Sequence, residues 1–276
     1  MVDSHIHTEC SSDCKQPLKG ICETACRRGL KGIAVTDHLT VARDDAVERV
    51  RASILASREM AEVYRGKLQV FTGVELEEVR INPALTQEIL SLADYDVILN
   101  SCHWVTYGPW DQYYSRISFA EPISEELLHG FLKAYFEELY HNAIAVDYDV
   151  LCHLTCPLRY MNGAYRRGVS LASHREAIDR ILCVVIQQDR ALEVNTSGLG
   201  GALGTTMPDE TILRRYFELG GRKITLASDA HVAENVANGF KETVPALKAI
   251  GFTGVTHYEK RKPIFEPWEI AEEGLK

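Results

Sequence analysis

No stretch of this 276-residue chain approaches the roughly 18–20 consecutive apolar residues that a membrane-spanning helix requires. Helical membrane spans are therefore excluded. The opening MVDSHIHTEC has neither the basic start nor the apolar run of a secretory signal, so the expected location is the cytoplasm. Cys-x2-Cys pairs are also absent. The eight cysteines include Cys10 and Cys14, Cys22 and Cys26, and Cys152 and Cys156, each pair at Cys-x3-Cys spacing, which is not the knuckle of a structural zinc site. A chain of this length does not need a disulfide framework. Cys22 and Cys26 fall on one face of the helical stretch KGICETACRRGL, where buried thiols are expected.

Positive charge is scarce. Thirty Lys and Arg against 39 Asp and Glu give a net charge of -9, and the basic clusters YRRG, LRRYF and EKRKP are all short. Such a surface repels a phosphate backbone, so no nucleic-acid partner is expected. Divalent ions would reverse the local effect of any carboxylates that hold them. No Gly/Ser linker, composition shift or internal repeat divides the chain, and residues 1–276 read as one domain.

The chain does contain a recurring unit: a helical stretch, a short β-branched apolar run, then polar residues. GIAVTDH follows LKGICETACRRGL, and LQVFTGVELEE follows the helical stretch from about Asp44 to Arg65. YDVILNSCHW, DYDVLCHLT, ALEVNTSG and KITLASDAH each follow a further helical stretch. Alternation of this kind predicts parallel strands with crossover helices. Six units plus the opening strand give about seven strands, and FTGVTHYEKRKPIFEPW is a candidate for one more. The aromatic segment Val105–Pro122, VTYGPWDQYYSRISFAEP, has no clear period. It has two readings, as a wall of a substrate pocket or as a surface excursion that packs its own rings.

Each apolar run ends on residues able to bind a metal. These are His5 and His7 with Asp13 close behind, Asp37 and His38, Glu75, His103, His153, and Asp229 with His231. Six of the ten histidines fall at these junctions. In a parallel barrel the C-terminal strand ends converge on one face, where active sites sit. His129, His141 and His174 lie in helical segments and His257 in the C-terminal tail, and these read as structural or solvated. Cys102 and Cys152 directly precede His103 and His153, so strand alternation sends their thiols toward the covering helices. Imidazoles mixed with carboxylates suit Zn, Mn or Fe, and the nine of these besides Asp37 are enough for two or three ions if a carboxylate bridges. Glu75 ends its strand with no adjacent histidine and is the natural bridge.

Taken together, DSHIHTECSSD, AVTDH, GVELE, NSCHW, CHLTCPLRY, EVNTSGL and LASDAH resemble, in order and over essentially the whole chain, the PHP (polymerase and histidinol phosphatase) superfamily. The RY after the fifth-strand histidine and EVNTSGL look most like its monofunctional histidinol-phosphate phosphatases. The resemblance implies a single distorted (β/α)7 barrel with its active site at the C-terminal strand ends and a trinuclear cluster of Zn, Fe or Mn. It implies that His5, His7, Glu75 and Asp229 hold a first ion. Glu75 bridges to a second, completed by His103 and His153, and Asp13, His38 and His231 hold a third. Many superfamily members have a histidine where this chain has Asp13, and an oxygen donor there is familiar in the histidinol phosphatases. Asp37 is then a carboxylate that orients a ligand.

The implied activity is hydrolysis of L-histidinol phosphate, a small phosphate monoester, in histidine biosynthesis. Clustered cations neutralise the dianionic ester and lower the pKa of a bound water enough to supply hydroxide for in-line attack. Glu75 and Asp229 serve the cluster, and Arg159, six residues past His153, is placed to hold a phosphate oxygen by a charged fork. Arg116, Trp104 and Tyr107 are candidates to line the alcohol side. No residue stands out as the acid for the leaving alkoxide. Other readings are a phosphoesterase for another small ester, or for a nucleotide or diester. Net charge and the lack of a basic stripe weigh against nucleic acid. An amidohydrolase also places His-x-His on its first strand but commonly bridges its metals with a strand-borne lysine, and the strand ends here offer Glu75 instead.

Overall fold

The computed structural model describes residues 1–41, 43–120 and 122–273. The ends of the expected 1–276 domain and of the aromatic segment thus include positions 121 and 274–276, outside the described residues. In chain order the elements are β1 (Val2–Ile6), α1 (Leu18–Arg27), β2 (Gly32–Val35), β3 (His38–Leu39), α2 (Ala46–Val63), β4 (Gln69–Leu76), α3 (Pro83–Leu90) and β5 (Val97–Asn100). There follow β6 (Trp104–Tyr107), β7 (Trp110–Tyr113), α4 (Glu125–Ala145), β8 (Val150–Leu151), α5 (Arg175–Gln187), β9 (Ala191–Asn195), α6 (Glu210–Glu218) and β10 (Ile224–Ala227). α7 (Phe240–Ile250), β11 (Gly254–Glu259), β12 (Lys262–Pro267) and α8 (Trp268–Ala271) complete the order.

Seven parallel strands run β1-β2-β4-β5-β8-β9-β10, with β3 extending the β4 pairing. The sheet curls until its ends meet: His7 N donates to Ala230 O at 3.0 Å and Asp229 N to His5 O at 2.9 Å. The result is the expected nearly closed α/β barrel. Its strands are buried on both faces, which is why GIAV and ITLA are apolar without alternation. Helices are started by side-chain caps where the sequence supplies them. Asn82 accepts from Leu85 N ahead of Pro83, Ser124 from Leu127 N, and Asp209 from Ile212 N.

The core has two parts. A large layer between strands and helices holds Ile33, Val35, Leu128, Leu139, Ile181 and Leu247 among many others. A small inner cluster fills the barrel with Val2, Ala34, Phe71, Val97, Leu99, Val150, Cys152, Ala191 and Tyr258. Space inside is tight: a Cβ on Gly73 would stand 2.7 Å from Thr36 Cγ2 and 2.8 Å from Val97 Cγ1.

Two sequence expectations are corrected here. The tail does not add a barrel strand. β11 and β12 form a separate antiparallel hairpin, and Tyr258 from β11 joins the inner cluster while Arg261 Nε reaches Asp149 Oδ2 at 2.5 Å. Cys102 packs in the outer layer as expected, but Cys152 lies inside the barrel. Val150 already points inward, so its i+2 neighbour Cys152 does too. His153 reaches the mouth by leaving the strand with φ +20°. All eight cysteines are free; Cys22 is buried and Cys26 only half-buried.

Candidate metal centre

Parallel register brings the strand ends to one level, and the nine expected metal-binding residues gather there. His38 stands opposite Glu75 in the β3–β4 pairing. Glu75 lies fully buried at the middle of the group. Its Oε2 is 3.2 Å from His5 Nε2, 3.6 Å from His7 Nε2 and 2.8 Å from His38 Nδ1. Its Oε1 is 2.9 Å from His153 Nε2 and 3.7 Å from His103 Nε2. One carboxylate thus faces two sets of imidazoles with different oxygens, the arrangement a bridging ligand needs. Asp229 Oδ1 lies 3.3 Å from His7 Nε2 and 3.9 Å from His5 Nε2.

Asp13 Oδ2 lies 3.5 Å from His38 Nε2 and 3.3 Å from His231 Nε2 at the open rim. This third group is less separate than the sequence implied. The His7 ring is 4.2 Å from both His38 and His231, centroid to centroid, and the donor atoms of all three cluster. His-x-His places His7 one pleat further out than His5, so it stands between the inner and outer donors.

Does this set fit a metal ion? His5 Nδ1 is 2.8 Å from Glu193 Oε2, and a carboxylate only accepts, so that nitrogen carries the ring proton. Ser11 Oγ gives its single proton to Asp37 Oδ1 at 2.8 Å and accepts from His7 Nδ1 at 3.1 Å. Both Nε2 atoms therefore present lone pairs, yet they stand 2.9 Å apart beside two carboxylates. Only a cation between them, a proton or a metal ion, reconciles that contact. Mixed imidazole and carboxylate donors at this density fit divalent transition metals or zinc.

The electrostatics agree. Burial alone would raise the Glu75 carboxyl, but His38, His5 and His103 outweigh it and hold it well below the usual range. Burial likewise raises Asp229, and the neighbouring His7 with the charges of Arg159 and His5 overrides it downward. Burial, with His231 and His38 beside it, pushes His7 down to about 4. His5 goes the other way, because Glu193 and Glu75 outweigh its burial.

Four residues essential to this geometry were missed in the sequence. Glu77 Oε1 lies 2.9 Å from His38 Nδ1, and its Oε2 lies 3.7 Å from His103 Nδ1. Its signal was available: it is two residues beyond Glu75 on the same face of the chain. Glu78, at φ +43°, accepts from the backbone N–H groups of His103 and Trp104. Burial and the neighbouring Glu77 push its carboxyl up to about 8. Glu193 and Asn195 sit within ALEVN, where a buried charge in an otherwise apolar strand was the cue. Asp37 acts on His7 through Ser11 and also accepts from Thr8 and Ser53.

Above the donors lies a cavity of about 600 Å³ lined by Asp13, His38, Glu77, His103, His153, Asp229 and His231 at its base. Arg159 and Tyr160 form one side, and Trp104, Tyr113 and Arg116 another. Arg159 Nη2 donates to Asp229 Oδ2 at 2.8 Å and to Ser197 Oγ, while its buried Nε has no acceptor among the described residues. Tyr107 is not part of the lining. Its ring packs against Gly130 of α4, because it lies on the far face of the β6–β7 hairpin from Trp104's neighbour Tyr113. The aromatic segment realises both of its readings. Trp104, Tyr113 and Arg116 face the cavity, whereas Trp110 and Phe119 pack on Phe131.

Comparison with known proteins gives the same frame. A curated probable histidinol-phosphatase of Thermotoga maritima is 25% identical over 252 residues, covering 91% of this chain and 93% of that protein. Another from Deinococcus radiodurans is 26% identical over 270 residues, covering 95% and 99%. The crystal structure of histidinol phosphate phosphatase from Lactococcus lactis, complexed with zinc, L-histidinol and phosphate, superposes with a TM-score of 0.78 at 20% identity, covering 95% of this chain and 98% of that one. The model of the PHP domain matches residues 3–197, which takes in every barrel strand up to β9 and seven of the nine clustered donors. The chain belongs to the PHP domain family.

Proposed function

We propose that this chain is a metal-dependent phosphomonoesterase that hydrolyses L-histidinol phosphate to L-histidinol and phosphate in histidine biosynthesis. The observation that carries the reading is the pairing of an imidazole–carboxylate cluster at the base of one cavity with the Arg159 guanidinium at its side. The curated relatives named above and the ligands of the Lactococcus structure supply the substrate. In this reading His5, His7, Glu75 and Asp229 hold a first ion, Glu75 with His103 and His153 a second, and Asp13, His38 and His231 a third, drawn from Zn, Fe or Mn. Such ions neutralise phosphate charge and make water a nucleophile near neutral pH.

The remaining tasks fall to the chain itself. Arg159 remains charged at any working pH, and Asp229 and Ser197 fix the direction of its guanidinium. Its guanidinium lines the cavity and gives an incoming phosphoryl oxygen a charge-assisted donor. Trp104 donates its ring N–H to Asp111 at 2.8 Å and packs edge-on against Tyr113 at 5.1 Å. That stiffens the wall against which the organic part of the ester lies. The half-open cavity leaves room for a group the size of an imidazolyl amino alcohol.

The test is phosphate release by metal-replete protein from L-histidinol phosphate, sugar phosphates, nucleotides and one diester, with His103→Ala as control. Preference for histidinol phosphate that disappears in the variant is the expected result. Cleavage of the diester with no monoesterase activity would overturn the substrate assignment.

A further inference from the structure

Glu193 is fully buried near the C-terminal end of β9, under the donor cluster. Both of its oxygens are committed. Oε2 accepts from His5 Nδ1 at 2.8 Å, and Oε1 accepts from the backbone N–H of His153 at 3.0 Å and from Asn195 Nδ2 at 2.8 Å. Asn195 is itself tied to Ser197 N at 3.1 Å and to Asp229 Oδ2 at 3.3 Å. A single carboxylate on β9 thus reaches residues of β1 and of the segment after β8.

His153 has a particular need for such a contact. It leaves β8 at φ +20°, in a region that side-chain-bearing residues rarely adopt. The hydrogen bond from its N–H to Glu193 holds that departure, and the departure is what turns its Nε2 toward Glu75. For His5 the consequence concerns tautomer. With Nδ1 protonated toward Glu193, Nε2 is free to act as a donor.

We propose that Glu193 is a positioning residue: it fixes His5 in the Nδ1-protonated tautomer and anchors the backbone of His153, so that the two rings present Nε2 to the two metal positions on either side of Glu75. The inference rests on the metal-binding reading given above. It does not make Glu193 a ligand, since the geometry leaves no free oxygen on it.

The experiment uses full-length protein stripped of metal, with zinc affinity measured by competition against a chromophoric chelator and the histidine tautomers read by 15N NMR. Glu193→Gln keeps shape and hydrogen-bonding capacity but cannot accept on both sides, because one terminal atom is now NH2. It is expected to bind the tightest zinc 10- to 100-fold more weakly, and to lose the single Nδ1–H signature of His5. Val194→Ala, a cavity in the outer core of the same strand, is the structural control. It is expected to lower the melting temperature while leaving zinc affinity within about twofold. Wild-type zinc affinity together with an unchanged His5 tautomer in Glu193→Gln would overturn the proposal. Equal weakening in Val194→Ala would also overturn it, by making the effect one of general stability. Failure of the wild-type protein to bind zinc would instead overturn the metal-binding reading, and the tautomer measurement would still decide what Glu193 does to His5.

Discussion

His5 and His7 point their lone pairs at one place because separate carboxylates take charge of their other nitrogens, Glu193 directly and Asp37 through the Ser11 hydroxyl. Ser11→Ala removes the second link and leaves His7 Nδ1 without an acceptor. Zinc affinity is expected to fall about tenfold or more, measured by the same competition assay, with the fold intact by circular dichroism. Unchanged affinity would mean that the ring is held by stacking on His38 and His231 alone. Arg159→Lys keeps the charge but loses the fork, so phosphate recognition weakens by one charge-assisted hydrogen bond, about 1.5–3 kcal/mol. The expected outcome is a 10- to 100-fold lower kcat/KM with zinc content unchanged, and a full-activity Lys variant would remove Arg159 from the site. The clustered donors other than Asp13 were legible in the sequence because each ends an apolar run. Of their supports Asp37 was named from the sequence, but Glu193 and Glu77 were not. Glu193 lies inside β9 and Glu77 just past β4, and although each carries a sequence cue, only the closed barrel reveals which histidine stands opposite it.

At the scale of elements, regular units were easy to read and departures from regularity were not. Alternating helical and β-branched segments determine the parallel strands, since each strand is buried on both faces and needs a crossover helix. The β6–β7 hairpin was hidden because its rings divide their duties, Trp104 and Tyr113 toward the cavity, Trp110 and Tyr107 toward α4. Strand alternation also misplaced Cys152, since it assumed that His153 continues β8. Tyr107 makes a testable joint. Its hydroxyl end sits against Gly130, where any Cβ would collide with the phenol oxygen and its ring carbon. Gly130→Ala is expected to destabilise the protein by about 1–3 kcal/mol through overpacking, seen as a lower denaturant midpoint. Adding Tyr107→Ala should recover part of that loss, because the two changes share one contact. Additive losses would show that the hairpin does not dock through this pair.

The whole molecule concentrates like charge where it is mechanically weakest. Asp13, Glu75, Glu77, Asp229, and the buried Glu193 and Asp37 all converge on the mouth of a chain whose net charge is already -9. The seam between β1 and β10 closes there with an isolated bridge between Ile6 and Ala230, in place of a continuous ladder. Cations at the mouth would offset carboxylate repulsion and clamp residues from both sides of that seam, His5 and His7 against Asp229 and His231. Binding to the folded state alone stabilises by about 2.7 kcal/mol when free metal is 100-fold above Kd. For a chain of this length that corresponds to a rise of roughly 5 °C or more in melting temperature. Calorimetry with chelator and then with added zinc should show that rise. Hydrogen exchange should localise the difference to residues 2–7 and 224–231, ahead of the β4–β5 centre of the sheet. Protection gained uniformly over the barrel would mean that metal stabilises the fold without closing the seam, and an unchanged melting temperature would mean that the carboxylates at the mouth hold no metal.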